Sequence, residues 1–92
     1  MEIKHEDNGT KGAFFIELEN ARVAEMTYVW ADTEKIIIDH TDVGEALKGK
    51  GAGKLMLNAT VEFARQKGIK IVPLCPFAKS VFEKTPELND VL

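Results

Sequence analysis

The sequence predicts an α+β fold: an antiparallel β-meander extended by one parallel strand, with two helices packed on the sheet. Two neighbouring runs of apolar alternation at period two predict the meander, and three successive isoleucines supply its next strand. A helical stripe followed at once by another apolar run predicts a right-handed crossover onto a parallel strand. One domain, residues 1–92, accounts for the chain, because so short a sequence cannot divide its apolar side chains between two cores.

Residues 2–6 form a weakly alternating first strand, followed by the turn or loop Asp7-Asn8-Gly9-Thr10-Lys11-Gly12. From Ala13, Phe14, Ile16 and Leu18 share one face, with Phe15, Glu17 and Glu19 on the other. After a turn at Glu19-Asn20-Ala21, the next run sets Ala24, Met26, Tyr28 and Trp30 against Val23, Glu25, Thr27 and Val29, so the two pair as a hairpin with one core face. Residues 31–34 turn again, and residues 35–43 open with Ile36-Ile37-Ile38, as a strand central to the sheet would. Straight alternation puts His40 on the face of Ile36 and Ile38, with Asp39 and Thr41 opposite. The chain loosens from Gly44 to Gly53. Leu55, Met56, Ala59, Phe63 and Ala64 then form the buried stripe of a helix stopped by Gly68. Residues 69–75 make the parallel strand, interrupted at Pro73, which has no N–H to donate. Pro76 suits the first turn of a short helix whose apolar side holds Phe77, Val81 and Phe82, and Thr85-Pro86 ends it.

Composition removes several functions. The formal charge of −3 argues against a general affinity for nucleic acid. No apolar run approaches the roughly 20 residues that span a bilayer. The opening residues do not resemble a signal peptide, so a cytoplasmic protein is expected. Cys75 is the single cysteine, which excludes an internal disulfide and suits a reducing compartment. His5, His40, Asp39, Asp42 and Cys75 show no recurrent ligand spacing, so no metal site is expected. The aromatics follow strand periodicity and read as core and sheet surface rather than a base-stacking platform. Positive charge gathers at Lys48, Lys50 and Lys54.

Those lysines flank Gly49, Gly51 and Gly53, between a buried strand and a helix. Alternate glycines let a ligand approach the backbone closely, and a helix N-terminus offers free amides and a positive dipole end to phosphate. A turn that merely connects strand to helix would not call for three glycines and three lysines together. The segment from Gly44 has P-loop spacing, but Gly51 stands where the magnesium-binding hydroxyl would be. A dinucleotide fingerprint also fails, because the glycines alternate and a meander precedes them.

Lys48-x-x-Gly51-x-Gly53 resembles the acetyl-CoA motif Arg/Gln-x-x-Gly-x-Gly/Ala of the GCN5-related N-acetyltransferases, with Lys in the first place. The likeness runs over roughly residues 13 to 85, where Ala78-Lys79-Ser80-Val81-Phe82-Glu83-Lys84 is similar to the family's Ala-x-x-x-Tyr-Glu-Lys. Short length, Asp39-His40-Thr41 and Cys75 before the last helix resemble its minimal, YjdJ-type subgroup. The resemblance implies acetyl-CoA as cosubstrate, held by Asp42, Val43, Lys48, Gly49, Lys50, Gly51, Ala52, Gly53 and Lys54. It implies pyrophosphate on the amides of residues 50–53 and pantetheine between the strands ending at Val43 and Cys75.

Two departures stand out. Phe82 replaces the tyrosine credited with protonating the leaving thiolate, and the family's two helices after its first strand are absent, which leaves the acceptor side open. Cys75, placed to cap the last helix, is the candidate acid or acyl acceptor, weighed against an inert buried cysteine. His40 is the candidate base, weighed against a histidine bonded within the sheet. The functional expectation is transfer of acetyl to an exposed amine of an unknown acceptor, for which a protein fits the open side. The alternative is a CoA or acyl-CoA binding module without turnover. The oligomeric state is not legible.

Overall fold

A computed structural model describes all residues, Met1–Leu92. Five strands lie in chain order across one sheet: β1 (Lys4–Asp7), β2 (Lys11–Leu18), β3 (Ala21–Asp32), β4 (Lys35–Val43) and β5 (Lys70–Pro73). The first four pair antiparallel, and β4 pairs β5 parallel through the crossover helix α1 (Ala52–Lys67). Helix α2 (Pro76–Lys84) follows β5, and 3-10 turns occupy Glu45–Leu47 and Pro86–Val91. The expected α+β meander with its parallel extension and two helices is present. The sheet lacks helices on its outer side, and the molecule measures 34 × 30 × 20 Å, the thinness of a two-layer arrangement.

The inner layer is one apolar core. Phe14, Ile16, Met26, Tyr28, Ile36 and Ile38 of the sheet meet Met56, Leu57, Val61 and Ala64 of α1, with Ala78 and Phe82 of α2 and Val91 closing one end. The α1 stripe is rotated by about one residue from the expected one: Leu57, Thr60 and Val61 are fully buried, while Leu55 is exposed. The apolar pattern of α1 is wider than one stripe, and packing on the sheet decides which part of it is buried. Thr60 is tolerated in the core because its hydroxyl donates back to the Met56 carbonyl at 2.8 Å. Gly68 ends α1 at φ +67°, and its amide reaches the carbonyls of Ala64 and Arg65. Leu18, expected on the core face, is exposed at the hairpin end beyond the β2–β3 bulge.

A second bulge corrects the reading of β4. Tyr28 pairs with Ile38 but Thr27 pairs with His40, so Asp39 is an extra residue on β4, tied by the Thr27 hydroxyl donating to its carboxylate at 2.6 Å. Beyond it the faces exchange. His40 points outward instead of joining Ile36 and Ile38, and Thr41, register partner of the buried Met26, turns inward.

Edge strand β1 is held by side chains as well as by its ladder. The Tyr28 hydroxyl donates to Asp7, the Trp30 indole N–H donates to the same carboxylate oxygen at 2.9 Å, and His5 Nε2 meets the Tyr28 oxygen at 2.7 Å. The His5 ring stacks on Phe14 at 4.1 Å. Burial lowers the His5 pKa from 6.5, against the attraction of Asp7 and Glu6 and with the help of Lys67. Burial works to raise the Asp7 pKa, but the bonds from Tyr28, Gly9 and Trp30 outweigh it and hold the carboxyl below its usual range. Tyr28, buried and bonded to Asp7, is raised well above an ordinary phenol.

Candidate functional site

The parallel ladder of β4 and β5 runs only from Lys35↔Lys70 to Ile38↔Pro73. Pro73 has no N–H, and the Ile38 carbonyl then accepts from both Leu74 and Cys75 at 3.0 Å, closing the apex of a fork. Beyond the apex β4 continues alone to Val43, so one side of its backbone is unpaired by β5. The chain leaves β4 at Gly44, whose amide bonds the Val23 carbonyl at 2.8 Å; a Cβ there would come within 2.7 Å of that oxygen, so a side chain is sterically refused. Leu47, buried in the core, pins the short turn that follows.

From there the backbone is shaped to leave donors free. Gly49 and Gly51 both adopt φ +76°, a left-handed conformation that favours glycine, and a Cβ at either would meet nothing within 4 Å. Gly51 caps α1 without a side-chain bond. The first bond entering the helix is from Leu55 to the Gly51 carbonyl, which leaves the amides of Gly49, Gly51, Ala52, Gly53 and Lys54 with no partner in the protein. The Lys50 amide is not among them, since it bonds the Leu47 carbonyl at 3.1 Å. Gly53 has a different role from its neighbours. Its Cβ would lie 2.7 Å from the tip of the Phe77 ring, so it is the residue that lets α2 pack against the start of α1.

These elements enclose a cleft of about 330 Å3. Of the residues expected there, Val43, Lys48, Gly49, Gly51, Ala52, Gly53 and Lys54 line it. Lys50 does not, and Asp42 sits on the outer face as register partner of Glu25. The opposite wall was not anticipated: Phe77, Val81, Lys84 and Thr85 contribute it from α2 and its end. Phe77 and Val81 are four residues apart, a spacing visible in the sequence as the apolar side of a helix, and Phe77 is 39% exposed. Lys48, Lys54 and Lys84 surround the free amides with positive charge, Lys48 also forming an exposed pair with Glu45 at 3.0 Å.

The two candidate catalytic side chains lie on opposite sides of β4. Cys75 is buried and caps α2, its Sγ accepting from the Ala78 amide at 3.4 Å and lying 3.2 Å from the Thr41 hydroxyl. Thr41 was not singled out from the sequence, because only the bulge turns it inward. His40 is exposed on the outer face, with Nε2 4.0 Å from a carboxylate oxygen of Glu25. Phe82 is core, 3% exposed. No helix is long and apolar enough to cross a membrane.

Comparison with known proteins agrees with this architecture. The family description "GCN5-related N-acetyl-transferase" matches residues 13–91. The solution structure of a GCN5-like protein from Staphylococcus aureus is similar at 42% identity and a TM-score of 0.73, covering 98% of this chain and 85% of that one. A ribosomal-protein-alanine N-acetyltransferase from Brucella melitensis shares the fold at 17% identity and a TM-score of 0.65, over 82% of this chain and 62% of that one. A GNAT family acetyltransferase from Elizabethkingia anophelis, solved with acetyl-CoA bound, shares it at 19% identity and 0.57, over 67% of this chain and 41% of that one. No curated protein matches the chain significantly. With a family match over nearly its whole length and a relative that is similar almost end to end, the chain belongs to the GCN5-related N-acetyltransferase family.

Proposed function

We propose that this protein is an acetyl-CoA-dependent N-acetyltransferase whose cosubstrate lies in the cleft between the glycine segment and α2. The observation that carries the reading is that five unpartnered amides border one cleft whose lining reaches Val43, the last residue of the β4 arm that β5 leaves unpaired. Pyrophosphate is suited to the amides of Gly49 and residues 51–54, with Lys48, Lys54 and Lys84 as counter-charge. The pantetheine arm, itself an amide chain, is suited to the unpaired side of β4, packed by Phe77 and Val81. The bound acetyl-CoA in the Elizabethkingia structure supports a cofactor site on this fold.

The reaction asks little of the protein beyond orientation and proton handling. The neutral acceptor nitrogen attacks the thioester carbonyl, a C–N bond forms, the C–S bond breaks, CoA leaves as thiolate, and the proton that the nitrogen sheds on becoming an amide replaces, through solvent, the one given to the thiolate. The nitrogen must first lose the proton of its ammonium form. His40, exposed beside Glu25, is read as the group that takes it or passes it to water. Phe82 brings no hydroxyl to the leaving thiolate, so the acid role falls to Cys75, beyond the fork apex and in contact with Thr41. A second reading, cofactor binding without turnover, is favoured by the buried, hydroxyl-free Phe82.

The test is titration of acetyl-CoA into isotope-labelled protein, following the amides of Gly49, Gly51 and Gly53, with mass spectrometry of Cys75 and of an added amine. Shifts centred on those glycines with acetyl on the amine support the enzyme. Shifts without acetyl on either would favour the binding module, and no shift at millimolar cofactor would sink both.

A further inference from the structure

The two arms of the fork present different chemistry to the bare outer face of the sheet. On the β5 arm, alternation sends Ile71 inward, while Val72 and Leu74 are 38% and 65% exposed. On the β4 arm, the bulge turns Asp39 and His40 outward, beside Asp42 and its register partner Glu25. Neither Asp39 nor Asp42 has a cationic partner within 4.0 Å. The nearby Arg22 is already held by Glu6 at 3.0 Å and Glu25 at 3.2 Å. An exposed apolar edge therefore adjoins carboxylates that form no ion pair of their own, with Lys11 and Arg22 lining the cavity beside Asp39 and with Lys35 and Lys70 paired at the root of the fork.

We propose, on the reading that the fork receives acetyl-CoA, that this face docks the acceptor as an extended protein segment carrying a lysine beside a large apolar side chain and further basic residues. The choice of occupant follows from charge and apolar complementarity together. A purely apolar partner would desolvate the carboxylates of Asp39 and Asp42 without pairing them, which is costly. A small polyamine would satisfy the carboxylates but leave Val72 and Leu74 in water. A basic segment with an apolar neighbour matches both arms at once, and a face without helices accepts an extended chain. The lysine pointing between the arms reaches the apex of the fork at Ile38, while its neighbour lies on Leu74.

The experiment titrates three probes into isotope-labelled full-length protein: a short peptide with one central lysine flanked by Leu and Arg, the same peptide with Ser and Glu at those places, and spermidine. The Leu/Arg peptide is expected to shift the amides of Asp39, His40, Val72 and Leu74 and to bind about tenfold tighter than the Ser/Glu peptide, a difference near 1.4 kcal/mol. Leu74→Ser and Asp39→Asn should each erase most of that preference while the acetyl-CoA shifts at Gly49 and Gly51 stay as in the parent protein. Equal affinity for the two peptides, tighter binding of spermidine, or shifts on another surface would overturn the docking proposal. Because docking is read without turnover, it is decided whether or not acetyl-CoA binds, and loss of the cofactor shifts alone counts only against the function proposed above.

Discussion

Gly53 and Phe77 show how one missing side chain sets the width of the cleft. A Cβ at position 53 would meet the Phe77 ring at 2.7 Å, so Gly53→Ala forces the ring outward, toward the space assigned to the cosubstrate. The strain should cost about 1–3 kcal/mol, more than the roughly 0.5–1 kcal/mol that alanine gains over glycine inside a helix. With Phe77→Ala already in place the clash is gone, and Gly53→Ala should become stabilising by that smaller amount. Urea denaturation of the four proteins checks the change of sign; a destabilisation of equal size in both backgrounds would mean the ring is not the obstacle. Gly49 and Gly51 answer to a different cause, their left-handed backbone, so removing Phe77 should not rescue alanine at either place.

At the scale of elements, β1 is the strand most dependent on side-chain ties, being short and exposed along its length. His5 anchors it by stacking on Phe14 and meeting the Tyr28 oxygen, and burial lowers its pKa below the unfolded value of 6.5. The unfolded chain therefore binds more protons than the folded one between the two values, and stability rises with pH across that window. The contribution is complete above the unfolded pKa and is lost as pH falls from there through the folded value. His5→Gln, which keeps a donor but does not titrate, should flatten the urea midpoint between pH 7.5 and the acid side of 6.5, where the parent protein should weaken. Asp7, whose pKa lies below 3.8, acts only at more acid pH and does not confound the comparison. An unchanged slope in His5→Gln would show that the imidazole stays solvated. The C-terminal turn, Pro86–Val91, is fastened in a comparable way, by Arg65 forking onto both Asp90 oxygens at 2.9 and 2.8 Å and by buried Val91.

For the whole molecule, the proposed cosubstrate cleft is built from the end of β4, the glycine segment and α2, so binding there would be coupled to folding, because none of its walls persists in the unfolded chain. At a hundredfold excess over the dissociation constant, acetyl-CoA should stabilise the protein by about 2.7 kcal/mol. For a domain of this size that raises Tm by on the order of 10 °C. Thermal unfolding with and without acetyl-CoA measures it, and a Lys54→Ala and Lys84→Ala pair should lose part of the shift. The loss should shrink as salt rises, since these lysines are exposed and their attraction for phosphate is screened. A Tm indifferent to millimolar acetyl-CoA would contradict the proposed site.

The chain alone determined the features that depend on near neighbours. Alternation marked the hairpin, the isoleucine run marked β4, Gly68 and Pro76 marked where helices stop and start, and three glycines among lysines marked the loop. Each rests on backbone preferences or periodicity within a few residues, so no distant partner is needed to read it. Only the tertiary structure decided which way His40 and Thr41 point, because a bulge at Asp39 is a mismatch between two strands and leaves no mark on either one. Only the tertiary structure separated Gly53 from Gly49 and Gly51, since its constraint is a ring 24 residues away, at Phe77, rather than its own dihedral angles. The far wall of the cleft was hidden for the same reason. An apolar pair on a helix reads as core until the neighbouring elements show which side remains open, here the side that faces the glycine segment.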